Sequence, residues 1–233
     1  MLYELFQLLG DVPGARLMNY ISFRAIVAGV MGLCISIWVG RWFIELLKRK
    51  NISETQRDEK IDPFNVAKKG VPTMGGVVII AAMLIPCLLM GNLSNVYMIL
   101  MLITTVILGA LGFADDYIKT FRGNKDGLNG WIKIAGQITL GLIVGLTLRY
   151  SPEATMHERV TSHIENNITV FEKTPEVKST RTTIPFVKEH NFNYADMFSF
   201  LGENNKYKAG WIFFVILTIL VVAAVSNGAN LND

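Results

Sequence analysis

The sequence is short of charge. Asp, Glu, Lys and Arg make up 18% of its 233 residues, against about a quarter in an ordinary soluble domain. The shortage is concentrated: residues 70–114 contain none of the four over 45 consecutive positions. Such a run cannot coat a soluble globule, so a soluble class is excluded and a polytopic membrane class follows. Cysteine is scarce too. Cys34 and Cys87 each lie in an apolar block, with no CxxC spacing and no nearby His, which argues against a disulfide framework or a metal pair. The first twenty residues, MLYELFQLLGDVPGARLMNY, lack the basic n-region and cleavage site of a signal peptide. Net charge is only +3, and nothing in its pattern points to a nucleic-acid partner.

What is present is a series of apolar runs. The uncharged run at 70–114 would be about 68 Å long as one helix, at 1.5 Å per residue. The hydrocarbon core is about 30 Å thick. The run must therefore fold back, and GNLSN at 91–95 is the natural turn. The expected fold is an all-α integral membrane protein with five spans, near 22–47, 75–90, 96–114, 131–150 and 209–230. The chain reads as a single membrane domain, 1–233, interrupted by a long polar loop at 151–208. Stretches such as ITVF and TTIPFV in that loop suggest short strands. The segments 48–69 and 115–133 are rich in Lys and Arg, while the 91–95 turn has neither. The positive-inside rule then makes both basic segments cytoplasmic, with the N-terminus outside and the 151–208 loop extracytoplasmic.

The hairpin places Lys68, Lys69 and the PTMGG turn on the same side as Asp115 and Asp116. Lys119, Lys133, Asn230 and Asp233 reach that side as well. Adjacent carboxylates repel unless a cation is near. Mg²⁺ would relieve that conflict, since it takes carboxylate and phosphate oxygens. Lysines and Gly-rich backbone offer positive potential to phosphates. Phosphoryl transfer needs mainly such positioning and electrostatics. Each feature also has a plainer reading. Neighbouring helical residues point about 100° apart, so one Asp of the pair can face away. Lysines at a span end anchor to headgroups, Thr73 could cap a helix, and Asn227, Asn230 and Asn232 could satisfy backbone groups. DDYIK also departs from the DDxxD pattern of prenyl synthases, with Lys119 in the fifth place.

SFRAI at 22–26, KKGVPTMGG at 68–76, GFADDYIK at 112–119, the GL…WIK segment at 127–133 and SNGANLND at 226–233 resemble the phospho-N-acetylmuramoyl-pentapeptide transferase (MraY) family. The resemblance covers almost the whole chain in order. It implies a multi-pass enzyme of the bacterial cytoplasmic (inner) membrane. Such an enzyme moves phospho-MurNAc-pentapeptide from UDP-MurNAc-pentapeptide to undecaprenyl phosphate with Mg²⁺, giving lipid I and UMP for peptidoglycan synthesis. It implies Asp115 as the base for the lipid phosphate, with Asp116 as alternative base or electrostatic organiser. Lys68, Thr73 and Lys133 match the nucleotide and diphosphate region, and Asn230 and Asp233 the NLTD motif. Asn232 stands where that motif has Thr. The family has about ten spans, so the chain is expected to be its N-terminal half, truncated and inactive alone. The family's metal-binding aspartate and His-rich motif would lie past residue 233. Within this sequence the resemblance leaves Asp115 or Asp116 as a possible metal ligand. His157, His163 and His190 fall in the outside loop and cannot be that motif. Partners implied are the two substrates and the lipid bilayer, with a homodimer allowed. The alternatives are a related polyprenyl-phosphate transferase using UDP-GlcNAc, or a non-catalytic membrane remnant.

Overall fold

The computed structural model of the chain describes residues 15–49, 74–122, 127–165, 168–183 and 191–231. Among these residues five α-helices carry the architecture: α1 (Ile21–Arg49), α2 (Gly76–Met90), α3 (Val96–Phe121), α4 (Gly130–Tyr150) and α5 (Glu203–Leu231). The protein is an all-α membrane protein with strands inserted between α4 and α5. Four helices, α1, α3, α4 and α5, are long and apolar enough to cross a membrane. Helix α2 is apolar throughout but has only 15 residues, about 22 Å at 1.5 Å per residue. By this measure the expected five spans stand at four among the described residues.

The chain divides into two compact units, residues 1–136 and 137–233. In the first, α1 and α2 pack closely. Pro86 lies inside α2 and has no N–H to offer the carbonyl of Ala82. Gly32 of α1 sits against that carbonyl: a Cβ at position 32 would lie 2.9 Å from the Ala82 oxygen. At the other end of the pair, the Arg24 guanidinium donates to the Met90 carbonyl at 3.5 Å. Arg24 thus supports the C-terminus of α2, beyond the anchoring role that its place at a span end suggests. Cys34 and Cys87 are both free thiols.

The turn falls where the sequence places it. Helix α2 ends at Met90 and α3 begins at Val96. Asn95 caps α3, its Oδ1 accepting from the N–H groups of Tyr97 at 2.9 Å and Met98 at 3.2 Å. The far end of α3 differs from expectation. The helix runs on from Ala114 to Phe121, so Asp115 and Asp116 lie two turns inside it and not at its terminus. The expected boundary marks where the apolar run stops. The helix itself persists because nothing from 115 to 121 breaks it, and because Asp115 and Lys119 pair at i,i+4.

In the second unit, β1 (Met156–Glu165) and β2 (Ile168–Val177) form an antiparallel hairpin. The short strands β3 (Arg181–Thr183) and β4 (Asn191–Asn193) pair beside a 3-10 helix, Tyr194–Leu201. Strands were expected here, and at ten residues each β1 and β2 are longer than anticipated. The 3-10 helix docks on α5 through Tyr194, whose ring lies 5.5 Å from Phe213, and through Phe198, 5.9 Å from the same ring. Tyr194, Ala195 and Trp211 are buried in this cluster. Helix α5 starts at Glu203, six residues before the expected span, with Glu203 and Lys206 paired at 2.7 Å in its first turn.

Candidate functional site

The described part of the site centres on Asp115, which is 5% exposed. Its Oδ2 is 2.8 Å from Lys119 Nζ, one turn further along α3. Its Oδ1 is 2.8 Å from Lys133 Nζ, in the first turn of α4. The same Oδ1 accepts the backbone N–H of Leu128 at 2.7 Å. One carboxylate therefore ties together α3, the 127–129 loop and α4, with these contacts all inside the first unit.

The loop is shaped for this. Gly127 has φ of +70°, a conformation that glycine adopts freely and other residues adopt at a cost. A Cβ at 127 would strike Asp115 Oδ1 and come within 2.7 Å of Lys119 Cε. Asn129 then starts α4, its Oδ1 accepting from the Trp131 N–H at 3.0 Å.

Two ammonium groups share one carboxylate, so the cluster carries a net positive charge. Lys119 and Lys133 keep 38% and 23% of their side-chain surfaces exposed and have N–H bonds to spare. The arrangement suits an anion with several oxygens, such as a phosphate. It suits Asp115 less well as a free base, because its oxygens already accept from three donors. Asp116, one position on, is half-buried.

Lys68, Thr73 and Asp233 lie outside the described residues, as does His190. Asn230 lies on α5, in the second unit. His157 and His163 fall on β1. At the described end of the PTMGG turn, Met74 is buried with φ of +70°. For a non-glycine residue this is a strained conformation. Gly75 precedes α2 as its N-cap without a side-chain hydrogen bond. Among the described residues, no group of three or more His, Cys, Asp or Glu is placed to hold a metal.

A second polar feature was not anticipated. Gln137 of α4 is 3% exposed. Its Nε2 donates to Ser226 Oγ and to Asn227 Oδ1, each at 3.1 Å. Asn227 Nδ2 returns a bond to Gln137 Oε1 at 3.1 Å. Asn227 therefore joins a side-chain amide pair between α4 and α5, where capping of backbone groups was the expectation.

No family model matches the chain. Curated relatives do, over its whole length. It is 60% identical to a protein of Phocaeicola vulgatus, 58% to one of Bacteroides thetaiotaomicron and 47% to one of Porphyromonas gingivalis. Each of these is named phospho-N-acetylmuramoyl-pentapeptide-transferase. The chain belongs to this family. It spans 56% of the length of those relatives and corresponds to the N-terminal half of the family.

Proposed function

We propose that this chain supplies half of the active site of a membrane transferase. The reaction moves phospho-MurNAc-pentapeptide from UDP-MurNAc-pentapeptide to undecaprenyl phosphate. A diphosphate P–O bond of the donor breaks, a new P–O bond forms to the lipid phosphate oxygen, and UMP leaves with lipid I as the other product. The observation that carries this reading is the Lys119–Asp115–Lys133 cluster in a chain whose relatives bear the transferase name. Its surplus positive charge would neutralise phosphate oxygens in the ground state and as charge develops in the transition state. In this reading Asp115 is a positioning residue that aims both lysines, and Asp116 is the candidate base. Lys68, Thr73, Asn230 and Asp233 complete the substrate contacts from outside the cluster. The face carrying Asp115 is cytoplasmic, in keeping with the basic 48–69 and 115–133 segments.

Mg²⁺ belongs to the proposal as a requirement of the reaction, supplying further charge neutralisation when bound. Asp115 is a poor ligand for it, since its oxygens already accept from Lys119, Lys133 and Leu128. Its ligands would come from residues beyond the described set, which leaves Asp116 to act as base.

The test is product formation. Membranes carrying the natural protein that contains this chain should form lipid I from UDP-MurNAc-pentapeptide when Mg²⁺ is present. Product from UDP-GlcNAc alone would instead select the related sugar-phosphate transferase, and no product from either would leave a non-catalytic membrane protein.

A further inference from the structure

Helices α4 and α5 meet along a seam of small residues. A Cβ on Gly141 would lie 2.7 Å from Ile219 Cα, and one on Gly145 would lie 3.1 Å from Val215 Cγ2. Beside this seam, toward the strand-bearing end of the unit, runs an open trough of about 440 Å³. Its volume falls in the range of about 300–1,000 Å³ typical of small-ligand sites. The walls are apolar and exposed: Leu142 and Leu146 one turn apart on α4, Ile212 and Ile216 one turn apart on α5. Both helices are long and apolar enough to cross a membrane, so hydrocarbon is the medium such walls would meet.

The end of the trough has different chemistry. Arg149, the penultimate residue of α4, and Lys208, in the second turn of α5, both line it, and no acidic residue among the described ones does. Among the described residues neither is ion-paired. The Arg149 guanidinium lies 4.9 Å from the Trp211 ring and 5.8 Å from the Tyr150 ring. Contact with aromatic faces orients the group while leaving its in-plane N–H donors available. A third cation adjoins the same turn: Lys178 Nζ donates to the Arg149 carbonyl at 2.9 Å. Cations and aromatic rings at a helix end are the residues that sit at headgroup level.

We propose that this trough binds one acyl chain of an anionic phospholipid whose headgroup phosphate is held by Arg149 and Lys208. The apolar walls match the chain, and the guanidinium fork matches phosphate oxygens. A protein helix laid in the same trough would cover the walls but press apolar surface against two charges, an unfavourable arrangement. The site lies in the second unit and does not depend on the transferase reading.

The test is lipid retention. The protein, extracted in detergent, is offered equal amounts of phosphatidylglycerol and phosphatidylcholine with the same acyl chains, and bound lipid is counted by native mass spectrometry. The wild type should retain phosphatidylglycerol about tenfold over phosphatidylcholine, the scale of one charge-assisted hydrogen bond. R149Q/K208Q should lose that preference, while K48Q/R49Q, at the C-terminal end of α1, should keep it. I216W, which fills the trough and leaves both charges, should lower retention of both lipids. Equal retention by the wild type would overturn the proposal, and that result does not depend on how any variant folds. So would a loss in K48Q/R49Q as large as in R149Q/K208Q, which would mean diffuse attraction. A photo-crosslinker at position 146 that captures a protein segment in place of lipid would overturn it as well.

Discussion

The amide pair between α4 and α5 offers a quantitative test of the packing. Replacing Gln137 with Leu removes three hydrogen bonds at once, two donated by Gln137 Nε2 and one donated by Asn227 Nδ2. Interhelical hydrogen bonds inside membranes average about 0.6 kcal/mol each, because the separated helices find other partners. Three bonds give about 2 kcal/mol for Gln137→Leu. Gln137 is buried but Asn227 is exposed, so the orphaned Asn227 amide should add little. Asn227→Leu removes two of the three bonds and leaves Ser226 as a partner for Gln137, for about 1 kcal/mol. The double variant should then cost about 1 kcal/mol less than the sum of the singles. The assay is reversible unfolding in mixed detergent micelles, run as a full double-mutant cycle. Coupling below about 0.3 kcal/mol, the noise of additive sites, would refute the claim that the two amides hold the helices together.

Two further substitutions test the turns that place the site. Gly127→Ala forces a Cβ into the left-handed region and against Asp115 and Lys119; it should destabilise the protein by about 2 kcal/mol and displace the Leu128 N–H, read as lower thermal stability in detergent. A melting temperature equal to wild type would contradict the loop geometry. Asn95→Ala removes the cap that serves Tyr97 and Met98 and should cost about 1 kcal/mol in the same assay, whereas Asn95→Asp should restore most of it.

The apolar runs made the helices legible, and the charge-free 45 residues made the α2–α3 turn legible almost to the residue, because a 30 Å core sets a hard limit on span length. The end of α3 was harder to read. Hydropathy reports where lipid stops, while the helix ends where hydrogen bonding stops, and the Asp115–Lys119 pair carries it onward to Phe121. That pair was itself readable from i,i+4 spacing. Lys133 was legible through its motif, but not its contact with Asp115, which depends on the left-handed turn at Gly127. Gln137 was missed because a lone amide in a span carries no motif. Its one signal was periodic: positions 137, 141 and 145 form a single helical stripe of Gln, Gly and Gly, the pattern of a close helix contact holding one polar group. The role of base for Asp115 was what the family resemblance implied, and only three-dimensional proximity shows two lysines already on its oxygens.

The central claim is that Asp115 aims Lys119 and Lys133 at a phosphate. It is tested most directly by the initial rate of lipid I formation in membranes carrying the natural protein, wild type against Asp115→Asn at matched protein levels. Without the carboxylate the two ammonium groups lose their fixed positions, and the rate should fall on the order of 100-fold, the scale of one lost preorganised electrostatic contact. A rate within about twofold of wild type would contradict the account.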